Sequence, residues 1–226
     1  MKKESTTILY IEDDPEAFLL LEIILERYVK QKIKLIWASN GKDAIKIIER
    51  EEIHLILIDF FLPDICGLDL MDKIRGKGIT APIVMITGNG NEKIAADAFK
   101  KGVIDYIVKG EDNINELGNR FSSYIHFASW ISNVKDLSDD FDHLCKKRDA
   151  LSILTKILEC SAGGAKKSHI LYRANLNSVT IKKYIWYAIK NGYLQWRRKG
   201  REGIFFTTMK GMELISKVNK LREILI

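Results

Sequence analysis

LILIDFFLPDICG, residues 55–67, sets four aliphatic residues directly before a carboxylate, Asp59, and follows it with two phenylalanines, Pro63 and Gly67. A short apolar run of this kind reads as a buried strand. A charge at the mouth of such a strand is costly unless something pairs with it, so the partners of Asp59 must lie elsewhere in the chain.

Working outward, the same alternation recurs. TTILYI precedes DPEAFLLLEIILERYV, a helical pattern with Asp14 as N-cap and a proline at its first position. KIKLIWA precedes GKDAIKIIEREE, HLILID precedes GLDLMDKIRG, APIVMIT precedes NEKIAADAFKKG, and DYIVK precedes NINELGNRFSSYIHFASWISNV. Five nearly continuous apolar strands separated by helices predict an α/β fold. Its form is a flavodoxin-like (βα)5 doubly wound parallel sheet, because right-handed crossovers leave helices on both faces.

Ligands of such sheets bind beyond the carboxyl ends of the strands, where strand order reverses. Strand 1 ends in Glu12, Asp13 and Asp14, strand 3 in Asp59, strand 4 in Thr87 and strand 5 in Lys109. With the order 2-1-3-4-5, the acids of strand 1 stand on one side of Asp59 and Thr87 and Lys109 on the other. Crowded carboxylates repel unless a hard cation sits among them, and an all-oxygen cluster suits Mg²⁺. Asp14, followed by proline, reads as a helix cap rather than a ligand. A metal-screened Asp59 can accept a phosphoryl group while Lys109 and Thr87 stabilise charge on its oxygens.

This constellation resembles the CheY-like receiver domain of two-component response regulators. The resemblance places the family's acidic pair on Glu12 and Asp13, its phosphoacceptor on Asp59, its loop proline and glycine on Pro63 and Gly67, its hydroxyl on Thr87, its switch aromatic on Tyr106 and its lysine on Lys109. It implies Mg²⁺ held by Glu12, Asp13, Asp59 and the backbone carbonyl of Phe61, and a histidine kinase as phosphodonor. It also puts the Phe61 side chain beside the phosphoryl group, opposite Asn89, where an apolar ring would keep out hydrolytic water. The family usually carries Lys-Pro, often cis, where Gly110 stands here; a cis bond without proline costs about 2.5–4 kcal/mol, which leaves the shape of that loop open.

Charge divides the 226-residue chain. Residues 1–125 hold 17 Lys and Arg against 21 Asp and Glu, and residues 126–226 hold 19 against 9. Between them, DLSDDFD at 136–142 marks a linker. The expected domains are a receiver at 5–125, a helical and acidic linker at 126–145 and a basic domain at 146–226.

In that last part, DALSILTKILECSA, KKSHILYRAN and VTIKKYIWYAIKNG read as three helices. The third has an apolar stripe of Ile181, Ile185, Ala188 and Ile189, with Lys182, Lys183, Trp186 and Lys190 near the other face. YLQWRRKGREGIFFTT reads as a hairpin with a basic tip, and Thr208 caps a last helix. This order resembles winged helix-turn-helix domains, and RANLNSVTIKKYI looks most like archaeal members. Residues 161–210 carry 11 basic residues and one acid, Glu202, a one-sign field suited to the phosphates of double-stranded DNA. Ser178, Thr180, Lys182, Lys183, Arg197, Arg198, Lys199 and Arg201 are the candidate DNA-binding residues, and Trp186 and Trp196 read as packing residues.

The three cysteines, Cys66, Cys145 and Cys160, have no CxxC spacing, and the four histidines are scattered, which excludes a zinc framework. With no long apolar segment, no membrane partner is expected and a cytoplasmic setting fits. The functional expectation is a phosphorylation-controlled transcriptional regulator rather than an enzyme, with homodimerisation left open. One alternative is a signalling adaptor whose C-terminal domain contacts protein. Another, an aspartyl-phosphate hydrolase of the haloacid dehalogenase type, needs an acid where Phe61 stands.

Overall fold

The structure, a computed structural model, describes residues 5–88, 90–110, 112, 114–135, 150–200 and 202–224. The acidic run 136–142, Asn89 and Arg201 lie outside the described residues. The chain divides into two compact units, 1–129 and 130–226.

In the first unit, β1 (Thr6–Ile11), α1 (Pro15–Tyr28), β2 (Ile33–Ala38), α2 (Gly41–Ile48), β3 (Leu55–Asp59), α3 (Gly67–Gly76), β4 (Ile83–Thr87), α4 (Glu92–Lys101), β5 (Asp105–Val108) and α5 (Ile114–Lys135), whose last turns pass the division at 129, alternate as expected. The five strands are parallel in the order β2-β1-β3-β4-β5. Register sets Ile11 beside Ile58, Asp59 beside Ile86 and Thr87 beside Val108, so the four functional strands end on one edge. Ile8, Leu9, Leu57, Ile58, Val84 and Met85 are fully buried. Burying each such side chain contributes roughly 1.5–3 kcal/mol, which is what holds the strand ends in place.

The helices start where local chemistry supplies acceptors. The Asp14 carboxylate accepts from the Glu16 amide at 2.9 Å, the role expected of it. Asn40 caps α2, and Asp64, from the loop after Asp59, accepts from the Gly41 and Lys42 amides at 2.8 and 3.0 Å. Helix α2 stops at Ile48, four residues short of the expected pattern, because the Arg50 amide turns back to the Ile47 carbonyl. Helix α5 runs to Lys135, so residues 126–135 of the expected linker are helix.

The second unit contains α6 (Ala150–Ser161), α7 (Lys167–Ala174), α8 (Ser178–Lys190), an antiparallel hairpin of β6 (Leu194–Lys199) and β7 (Glu202–Thr207), and α9 (Met209–Ile224). Asn175, at φ 53°, closes α7 in the left-handed region, and Asn177 caps α8 by accepting from the Val179 and Thr180 amides. Ile157, Leu158, Ile170, Ile181, Ile185 and Phe205 form its core. Thr208 caps α9, as expected. Trp186 is buried, as its packing role predicts, although helical spacing sets it near Lys182, Lys183 and Lys190, and the Lys190 ammonium lies 4.8 Å over its ring.

Candidate functional site

Asp59 is the last residue of β3 and is 5% exposed, while Glu12, one residue past β1, is wholly buried. One ligand atom each from Glu12, Asp13 and Asp59 lie within 4.8 Å of one another. Lys109, directly after β5, reaches both buried carboxylates, with Nζ 2.7 Å from Glu12 Oε2 and 3.0 Å from Asp59 Oδ2. The lysine is therefore not confined to the far side of Asp59. It answers the cost of burying that charge, yet one ammonium for three carboxylates leaves the site negative. Burial pushes the Glu12 carboxyl up, against the pull of the Lys109 and Tyr10 donors. Burial pulls the Lys109 ammonium down, but its bonds to Glu12 and Asp59 outweigh this and hold it above the usual lysine range.

Three close carboxylates are hard oxygen donors, and Asp13 among them is exposed. This donor set fits a divalent ion such as Mg²⁺, which keeps part of its hydration shell. When bound, such an ion would neutralise charge around Asp59 and supply Lewis-acid stabilisation there.

The remaining candidates surround this centre. Thr87 is fully buried at the end of β4, and its carbonyl accepts from the Lys109 amide at 2.8 Å. The Phe61 amide donates to Asp59 Oδ1 at 3.3 Å, and its ring, 54% exposed, meets Phe60 edge-on at 4.7 Å. A Cβ on Gly67 would lie 2.5 Å from the Asp59 carbonyl oxygen, so only glycine lets the chain pass there. The Lys109–Gly110 peptide is trans, and Gly110 takes φ 88°, a conformation proline could not adopt. Tyr106 is half-buried against the core with its hydroxyl withdrawn from solvent.

Several supporting side chains escaped the sequence reading. The buried Tyr10 hydroxyl donates to Glu12 Oε2 at 2.7 Å. Its signal was present: a phenol in an aliphatic strand, two residues before an acid and hence on the same face. Trp37 Nε1 donates to the Glu12 carbonyl at 2.6 Å while its ring stacks on Phe18. Arg120 of α5 pairs with Asp105 and Asp112 and donates to the Tyr106 carbonyl at 3.1 Å; Tyr124 also donates to Asp105.

A family model described as response regulator receiver domain matches residues 8–120, half of the chain, and one described as winged helix-turn-helix matches residues 147–225. The chain belongs to the response regulator receiver family. It is 26% identical over 208 residues to the nitrate/nitrite response regulator protein NarL of Escherichia coli, spanning 86% of this chain and 93% of that relative. It is 39% identical over 113 residues to the methanogenesis regulatory protein of Methanothrix harundinacea, spanning 49% of this chain but a quarter of that relative's length. A signal receiver domain from Vibrio parahaemolyticus superimposes with a TM-score of 0.52 at 25% identity, over 59% of this chain and 97% of that domain. A second, from Pseudomonas fluorescens, scores 0.50 at 20% identity and shares the fold.

In the winged helix unit, Ser178 and Lys199 are exposed, and Thr180, Lys182, Lys183, Arg197 and Arg198 are half-buried. Arg197 is partly committed within the fold, donating to Gln195 at 2.8 Å and lying 5.9 Å over the Phe206 ring. Glu202, the lone acid of this stretch, pairs with Lys166, so it leaves the positive field largely uncancelled. Burial and the nearby Lys182 charge lower the Lys167 ammonium. Trp186 and Trp196 are buried, which fits packing. Among the described residues no helix is long and apolar enough to cross a membrane.

Proposed function

We propose that this chain is a transcriptional response regulator controlled by phosphorylation of Asp59. The observation that carries the reading is Lys109 joining Glu12 and Asp59 beside the buried Thr87, with Asp13 completing an oxygen-donor cluster. Glu12, Asp13, Asp59 and the Phe61 carbonyl would hold Mg²⁺. An Asp59 oxygen attacks a phosphohistidine of a partner kinase. The N–P bond breaks as the O–P bond forms, and the electron pair returns to the imidazole, which takes up a proton. Lys109 and Thr87 receive the equatorial oxygens, and Tyr106 responds to the change at Thr87. In this reading the receiver occupies 5–125, the linker 126–145 and the DNA-binding domain 146–226, and the chain works in the cytoplasm as a regulator rather than as an enzyme.

The winged helix unit supports double-stranded DNA as the second partner, through Ser178, Thr180, Lys182 and Lys183 of α8 and Arg197, Arg198, Lys199 and Arg201 of the wing. The test is a DNA-binding selection on the full chain with and without a small phosphodonor and Mg²⁺. A change in DNA affinity of about tenfold on phosphorylation is expected, in the range of ordinary allosteric coupling. Phosphate on Asp59 with no selected DNA would replace this reading by the adaptor; no phosphate on Asp59 would overturn it.

A further inference from the structure

Two donors converge on one oxygen of Glu12. The Tyr10 hydroxyl and Lys109 Nζ each stand 2.7 Å from Oε2, while Oε1 is met by the Asp14 amide at a longer 3.4 Å. The donors differ in character. Tyr10 is 3% exposed on a central strand, whereas the Lys109 side chain is 30% exposed and shared with Asp59.

We propose that Tyr10 is a positioning residue for the cation site, holding Glu12 by Oε2 so that Oε1 stays available for metal ligation whether or not Lys109 is engaged. The inference rests on the reading of Glu12, Asp13 and Asp59 as the metal ligands of a phosphoacceptor site. The need for a second donor follows from the lysine's double duty. Once Lys109 turns to a phosphoryl group on Asp59, a buried Glu12 oxygen without Tyr10 would lose its strong donor, and an unpaired buried charge is costly. A phenol on a strand is a fixed donor with few rotamers, and a glutamate, one methylene longer than an aspartate, is long enough to need fixing.

The experiment is a Mg²⁺ titration of the full chain without phosphodonor, followed by calorimetry and by the fluorescence of Trp37, whose indole holds the Glu12 carbonyl. The Trp37→Phe variant identifies the share of the signal that belongs to that ring. Tyr10→Phe keeps the ring and removes one hydroxyl, and should weaken Mg²⁺ about tenfold, as losing a partner of a metal ligand commonly does. Phosphorylation of Tyr10→Phe should be slow at low Mg²⁺ and recover towards the parental rate at saturating Mg²⁺. In a Glu12→Asp background the shorter acid retracts from the phenol, so adding Tyr10→Phe should cost nothing further. Parental Mg²⁺ affinity in Tyr10→Phe would overturn the proposal, as would a loss that simply adds to that of Glu12→Asp. Glu12→Gln tests the reading beneath it: unchanged Mg²⁺ affinity in that variant would remove Glu12 from the metal site altogether.

Discussion

In the receiver unit, Glu12 and Asp59 are buried at the ends of apolar strands and held by one lysine; in the winged helix unit, Ser178 and Lys199 face solvent and Lys182 and Lys183 are only half covered. The two units carry charge under opposite physical terms. A buried carboxylate must have partners, so each residue of the receiver site constrains the others. A surface lysine needs none, so its role depends on a ligand outside the chain. For this reason substitutions in the first unit should act as switches and those in the second as increments.

The sharpest test of that contrast is Asp59→Asn. The amide keeps the shape but loses nucleophilicity and charge, so acid-labile phosphate incorporation should vanish while thermal unfolding stays cooperative. Normal labelling of this variant would break the comparison at its stronger end.

Alanine at Lys182, Lys183, Arg197 and Arg198 together should weaken DNA binding by about 100-fold and shrink the salt dependence by roughly 0.9 log units for each phosphate no longer neutralised. Gel-shift titrations at several salt concentrations measure both. The four single variants should divide this loss in comparable steps. Arg197→Ala should also lower the melting temperature, since its guanidinium lies over Phe206 and bonds Gln195. Unchanged affinity and slope in the fourfold variant would remove these residues from the interface.

A smaller effect comes from Glu12→Gln in metal-free buffer. Burial raises the Glu12 carboxyl, so the folded state favours its protonated form. That contribution is present at low pH and is lost as pH rises through the raised value. Glutamine keeps the neutral form throughout, so the variant should gain about 1 kcal/mol in denaturant unfolding at neutral pH, with the gain fading on acidification. Equal stability across the whole pH range would mean that Lys109 fully compensates the buried charge.

Smallest is the expected change at Phe61. Its backbone amide bonds Asp59 and its ring is exposed, so if the side chain shields the phosphoryl group from water, Phe61→Asn on the phosphorylated protein should speed decay a few-fold. Decay followed after removing the phosphodonor decides it; no acceleration would mean that this ring does not control water.

The strand order and the gathering of Glu12, Asp13, Asp59, Thr87 and Lys109 at one edge were legible because each residue breaks an apolar pattern at a strand end. Lys109 reaching past Asp59 to Glu12 was not, because strand order gives neighbours and not the reach of a flexible side chain. Tyr10 was hidden for a related reason: an aromatic in a buried strand reads as core until its hydroxyl is seen to have an acceptor. In the second unit, helical spacing grouped Trp186 with Lys182, Lys183 and Lys190, but spacing carries no information about side-chain size. The roles of the surface bases were legible only as an excess of one sign, since charge counts do not say which of them, like Arg197 with Gln195 and Phe206, also serve the fold.

The Arg120 guanidinium fastens the carbonyl of Tyr106, the carboxylate of Asp105 and that of Asp112 to the second turn of α5, and Tyr124 adds a bond to the same Asp105 one turn later. Strand β5 cannot open while these bonds stand, and the first turns of α5 cannot fray without breaking them. Measured by native-state hydrogen exchange, the amides of β5 and of residues 117–124 should therefore exchange as one cooperative unit, with a common opening free energy, while α4, closed by its own left-handed Gly102 cap, exchanges separately.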